Sequence, residues 1–217
     1  MKSAWWDSKM SASAHHLGQS ERGTTSVEFG LTASVVIVLV LGIAEFALAY
    51  WQWNAAAKAA QLGARLAAVS DPVDSTFKNI TGLDSAQPGD PMPAFDEIVC
   101  HGGLGECNGE SERFDREAME AIVYGPNASA ECPNNPGRYP PMCRVFSRIK
   151  PENVVISYSH SGLGFAGRPG GPVPTITLRL EDVTYDFILL HRLFGSGTIM
   201  PDFATTVTGE SLSSTVE

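Results

Sequence analysis

The longest unbroken pattern along the chain is apolar. Phe29 to Ala44 is sixteen residues without a charge, and with Glu45 to Trp51 the stretch becomes twenty-three. Coiled as a helix at about 1.5 Å per residue it spans about 34 Å, enough to cross a hydrocarbon core of about 30 Å. The run continues into Q-W-N-A-A-A-K-A-A-Q-L-G-A-R-L-A-A-V, rich in strong helix formers, so residues 24–69 are predicted to be one helix. Asp71-Pro72 ends it, because proline disfavours helical geometry in the residue before it. Tyr50, Trp51 and Trp53 cluster where such a helix leaves a membrane, as an aromatic belt does. Beyond them Ala56, Ala59, Ala60, Gly63, Ala64, Ala67 and Ala68 give a face of small side chains. Such a face permits close backbone approach, either to the protein's own sheet or to a neighbouring subunit's helix.

The pattern then changes. Residues 72–110 are rich in Pro, Gly and Asp and predict a long surface loop. Residues 111–124 predict a short amphipathic helix with Ser111 as N-cap and Phe114, Ala118, Ala121 and Ile122 on one face. Gly125-Pro126 stops it, and 126–143 is again loop. In the last third, Val154, Ile156 and Tyr158 fall at alternate positions, as do Ile176, Leu178 and Leu180, then Val183, Tyr185, Phe187 and Leu189. That is strand periodicity, and the parity slip after Leu180 predicts a bulge or bend near Glu181-Asp182. The fold class expected is α+β: a long N-terminal helix, transmembrane in its first half, and a small exported domain with an antiparallel sheet. The divisions expected are a cytoplasmic leader at 1–23, a transmembrane helix at 24–51, its exported continuation at 52–71 and an exported α+β domain at 72–217.

Composition narrows the partners. The formal net charge of -9 argues against nucleic acid. Residues 1–22 are polar and lack the apolar core of a secretory signal, so a disordered cytoplasmic leader is expected, with His15-His16 incidental. The four cysteines, Cys100, Cys107, Cys132 and Cys143, all lie beyond the apolar segment, which points to disulfides in an oxidising compartment. A zinc site, with His101 as a further ligand, is the alternative, but the spacings lack the usual short knuckle. Local pairing, Cys100 with Cys107 and Cys132 with Cys143, is expected because each bond closes a short loop where little core is available. The other two connectivities stay open.

Catalytic patterns are weak. Gly162, Gly164 and Gly167 match G-x-G-x-x-G, yet a strand follows where a phosphate-binding helix would have to start. Ser159-His160-Ser161 sets a hydroxyl beside an imidazole without aligning them. Asp96-Glu97 and Glu181-Asp182 read as solvated loop charges. No enzymatic activity and no cofactor are expected. Glu45 is a carboxylate in an apolar stretch, where a charge at the bilayer centre costs roughly 2.5–3.5 kcal/mol. It either snorkels to the far interface or faces a donor on another membrane helix.

A glycine, Gly23, stands five residues before a carboxylate, Glu28, with Phe29 opening the apolar run. This spacing resembles the type IV prepilin signature. V-E-F-G-L at 27–31, G-I-A-E-F at 42–46 and A-A-Q-L-G-A-R at 59–65 are ordered as in the TadE-like family, pseudopilins of tight-adherence (Flp-type) pilus systems. Ser34 stands where that family usually has proline, and Gln61 where it often has arginine. The resemblance implies a pilin-like fold and a chain cut between Gly23 and Thr24 by a prepilin peptidase. It implies Glu28, Phe29 and Glu45 as assembly contacts. The implied partners are membrane lipid, other pilin or pseudopilin subunits and the inner-membrane pilus platform, with the C-terminal domain exported. A membrane-anchored exported binding domain with no pilus role is the competing reading.

Overall fold

No proline interrupts the first seventy-one residues, and in the computed structural model a single helix, α1, runs from Ala4 to Val69. The structure describes residues 4–125, 131–134, 140–185, 187–188, 198–209 and 212; the side chains of 4–24, 185 and 198 lie outside the description. The backbone of 4–22 is therefore helical where a disordered leader was expected. That stretch holds several good helix formers, Ala4, Met10, Ala12, Ala14 and Leu17 among them, and nothing that breaks a helix outright.

Five strands form one antiparallel sheet in the order β2-β1-β3-β4-β7. They are β1 (Ile98–His101), β2 (Glu106–Cys107), β3 (Val154–Leu163), β4 (Val173–Leu180) and β7 (Phe203–Thr208). β5 (Thr184–Tyr185) and β6 (Thr198–Ile199) form a separate two-stranded ribbon. The period-2 pattern decides which face is covered. Val154, Ile156 and Tyr158 on β3 and Ile176, Leu178 and Leu180 on β4 are all buried against the C-terminal half of α1. Ala56, Ala59, Ala60, Ala64 and Ala67 meet them with no exposed surface. The small-residue face thus packs on the protein's own sheet. Gly63 sets the distance: a Cβ there would run into Met142 Sδ and lie 2.9 Å from Leu178 Cδ1.

The architecture is α+β, as the pattern predicts, with differences in detail. The helix expected over 111–124 is a 3-10 turn, Ser111–Arg113, followed by α2 (Arg116–Tyr124). Its cap is Asp115, whose carboxylate accepts from the Ala118 amide at 3.1 Å, and not Ser111. A carboxylate at the start of a helix satisfies an orphan amide and favours the dipole, which a serine three residues earlier cannot do for this turn. The parity slip after Leu180 is a bend with Asp182 at φ 55°, after which the chain leaves the main sheet for β5. The long loop before residue 110 contains β1 and β2, and the tail supplies β7 as a sheet edge. A one-turn helix, α3 (Met142–Val145), sits against α1 and α2.

Candidate functional site

The first half of α1 carries the sequence features singled out for assembly. Among the described residues, one helix, Thr25–Val69, is long and apolar enough to cross a membrane, and its most apolar eighteen-residue stretch is almost wholly unburied. Phe29 and Phe46 are each 75% exposed, and Leu31, Val35, Val38 and Ile43 are similarly bare. A single apolar helix of this kind, unburied by its own domain, suggests a single-pass membrane anchor. Glu28 is exposed on the same segment, one turn beyond Thr24. The backbones of Gly23 and Thr24 are both within α1. Thr32 Oγ1 donates to the Glu28 carbonyl at 2.9 Å and Ser34 Oγ to the Gly30 carbonyl at 2.7 Å. Both hydroxyls are satisfied by the helix itself, which lowers the cost of placing them in lipid.

Glu45 is not on the bare surface. It is 2% exposed, and its Oε2 accepts from the Ile188 amide at 3.1 Å. Seven residues on, two turns along the same face, Gln52 is 7% exposed and its Oε1 accepts from Arg148 Nη1 at 3.2 Å. Arg148 Nη1 also reaches the Thr184 carbonyl at 3.4 Å. Two polar hooks on one face of α1 therefore hold the 184–188 segment of the domain. A carboxylate withdrawn from water and given a backbone donor is far cheaper than a bare one. Arg148 and the Ile188 amide are partners that the sequence alone does not reveal. The seven-residue spacing of Glu45 and Gln52 was the signal available for the face itself.

The exit from α1 is tied by a second polar cluster. Asp74 has no exposed surface. Its Oδ1 accepts from the Thr76 amide at 2.8 Å and the Thr76 hydroxyl at 2.6 Å, and its Oδ2 from Arg113 Nε at 2.9 Å and Nη2 at 2.7 Å. Main-chain bonds flank it, Ser75 N to Arg113 O and Asp115 N to Val73 O, each 2.8 Å. Beside it Tyr158 is fully buried and its hydroxyl accepts from the Val73 amide at 3.0 Å. Burial pushes this phenol well above the ordinary tyrosine range; the Asp74 charge adds to the rise, and the Val73 bond offsets part of it.

The four cysteines form two disulfides, Cys100–Cys107 and Cys132–Cys143, the local pairing expected. The first joins directly opposed residues of β1 and β2. Asp74, Cys100 and Cys107 place their ligand atoms within 4.8 Å of one another. Both sulfurs are spent in the bond and the carboxylate already holds four donors, so this cluster does not offer the ligands a metal needs.

The remaining motifs have structural employment. The Gly162–Gly167 segment runs from the end of β3 into the β3–β4 loop, and its backbone is bonded to residues 81–92. Ala166 N donates to Asp90 O at 2.9 Å, Gly167 N to Thr81 O at 2.8 Å, and Met92 N to Gly164 O at 3.3 Å. The loop is thereby pinned to the 81–92 segment. On β3, Ser159 Oγ donates to the Thr175 carbonyl and Ser161 Oγ to the Val173 carbonyl. Strand alternation turns the His160 ring to the other face, edge-on to Phe95 at 5.5 Å between centroids. A cleft on the outer sheet face, between Glu97, Val99, Val155, Ser157, Thr177 and Arg179, encloses about 110 Å³. Ligand pockets typically hold about 300–1,000 Å³.

No match to a curated protein or to a solved structure was found. The family model described as TadE-like protein matches residues 23–65, the helix segment that carries Gly23, Glu28, Glu45 and the small-residue face as far as Ala64, and that family implies a part in tight-adherence (Flp-type) pilus systems, alongside pilus subunits and the membrane.

Proposed function

We propose that this protein is a pseudopilin, a minor pilin that takes part in assembling a tight-adherence pilus from the inner membrane, with its C-terminal domain exported. The observation that carries this is the division of α1 into a bare apolar half and a half buried on the sheet, with the TadE-like match covering the junction. A prepilin peptidase cuts after Gly23. The peptide must be extended in the protease site, so the helix has to open locally. Glycine followed by two β-branched threonines is where it opens at least cost. Cleavage leaves an amine on Thr24, and Glu28, one turn on, lies within reach of that amine or of a neighbouring subunit's. Phe29 and the apolar residues after it pack among other pilin helices, where close fit and polar contacts choose the partner. Glu45 contributes by fixing the domain segment it holds.

The test is the mass of the mature membrane-bound protein. Loss of residues 1–23 is expected, and Gly23→Leu should retain them. Glu28→Ala should still be cut but should no longer co-purify with pilin partners; normal assembly would reduce Glu28 to a marker of the membrane edge. Recovery of functional protein in the membrane still beginning at Met1 would refute the pseudopilin reading.

A further inference from the structure

The two hooks on α1 fix how far the domain reaches down the anchor. Arg148 bonds Gln52 and the Thr184 carbonyl together, so Thr184 lies beside Gln52. The Ile188 amide bonds Glu45, seven residues nearer the N-terminus. At about 1.5 Å per residue the segment descends about 10 Å along the helix between these points. At its lower end Phe187 is half-buried and Ile188 is 65% exposed. On α1 at the same depth, Phe46, Tyr50 and Trp51 are 75%, 70% and 64% exposed.

The membrane boundary follows from the span. Thr25 to Ala44 is twenty residues, about 30 Å, which fills a hydrocarbon core and puts Glu45 at its outer edge. Setting the edge at Trp51 instead would sink the level of Glu45 about 9 Å into the core. Either placement brings Ile188 to lipid. The Glu45 bond makes this tolerable, since non-helical backbone at membrane depth must have its polar groups satisfied by protein.

The geometry points to a second, monotopic membrane contact: the Phe187–Ile188 stretch inserts into the outer-leaflet interface beside the anchor, its backbone held by Glu45. The ligand is the headgroup–acyl boundary of the bilayer, the depth at which exposed apolar and aromatic side chains are stabilised. The domain thereby stands on the membrane at two points, which fixes its tilt and rotation where a single helix would leave it free. This rests on reading Thr25–Ala44 as a membrane span.

The test uses the full chain in liposomes. All four native cysteines are in disulfides, so Ile188→Cys, Val35→Cys and Leu104→Cys each add one reactive thiol for an environment-sensitive fluorophore. All three sites are exposed, Val35 in mid-span and Leu104 in the β1–β2 turn. The label at 188 should be blue-shifted and should lose most of its emission to a nitroxide placed shallow on the lipid chain. It should lose less to one placed deep. The label at 35 should respond most to the deep nitroxide, and the label at 104 to neither. A label at 188 that behaves like the one at 104, while 35 is quenched, overturns the second contact and leaves the anchor standing. Loss of quenching at both 35 and 188 overturns the anchor reading along with it.

Discussion

Replacing Arg113 with alanine leaves the Asp74 carboxylate buried, charged and short of two of its four donors. The guanidinium supplies both bonds to Oδ2, at 2.9 and 2.7 Å, while Thr76 supplies both to Oδ1. Asp74 has no exposed surface, so water cannot replace the lost donors without opening the exit from α1. Removing one partner of a buried pair costs about 3–5 kcal/mol. The lower end applies here, because Thr76 remains and Arg113 is itself 22% exposed. We expect Arg113→Ala to lower the unfolding free energy of the domain by about 3 kcal/mol, measured by urea unfolding in detergent with near-ultraviolet circular dichroism. Asp74→Asn should cost less, since the amide oxygen can still accept from Thr76 and Arg113 can turn to water. The double variant Asp74→Asn/Arg113→Ala should lie close to Asp74→Asn alone, giving a coupling of about 3 kcal/mol, the whole cost of Arg113→Ala. An Arg113→Ala variant within about 1 kcal/mol of the parent, the range of an exposed pair, or strict additivity in the cycle, would refute the claim that this pair locks the helix exit.

Tyr158→Phe removes the acceptor of the buried Val73 amide and should cost about 1–3 kcal/mol at neutral pH. The folded phenol titrates above its ordinary value near 10, so its contribution is complete below that pH and is lost as pH rises toward the folded value. The parent should therefore lose stability more steeply above pH 10 than Tyr158→Phe, which alkaline unfolding curves of the two will show. Gly63→Leu forces side-chain atoms into the space of Met142 and Leu178 and should lower the urea midpoint by the equivalent of about 2–3 kcal/mol. Gly30→Leu, whose added Cβ has no neighbour within 4 Å, should leave it unchanged.

What could be read from the sequence is what repeats. The apolar run and the alanine-rich continuation mark α1 because helical periodicity and propensity are sustained over many turns. The alternation at Val154–Tyr158 and Ile176–Leu180 marks β3 and β4; burial follows it residue by residue on β4, whereas on β3 the intervening Val155 and Ser157 are buried as well. Short elements lack that redundancy. Ile98-Val99-Cys100-His101 is four residues in a Pro/Gly-rich stretch and becomes β1 because β3 offers an edge, which is tertiary information. Ser111 reads as the cap because its hydroxyl stands at the head of the periodic run; the 3-10 turn at Ser111–Arg113 moves the start of α2 to Asp115, a distinction of a few residues that no pattern in the chain encodes. The polar partners were the least legible. Nothing local to Arg148, Arg113 or Ile188 marks them, since each bonds a residue between 39 and 143 positions away.

Those distant bonds change how the helix must be understood. The sequence leaves the small-residue face free to serve either the protein's own sheet or a neighbour. The structure commits it to the protein's own sheet from Ala56 to Ala67, and the same side of the helix goes on to hold Arg148 at Gln52 and the Ile188 amide at Glu45. What is left for other molecules is the bare segment below Glu45, together with the outward side of the upper helix, where Lys58, Gln61 and Arg65 are exposed. These two surfaces have different physics. Below Glu45 there is no hydrophobic gain in exchanging lipid for another helix, so selectivity must rest on close fit around Gly30 and Gly42 and on the charge of Glu28. Above the lipid-facing belt of Phe46, Tyr50 and Trp51, contacts of the charged side chains are made in water and weakened by salt. An interaction of the anchor that survives high ionic strength therefore belongs to the lower segment, and one that fades with salt belongs to the upper.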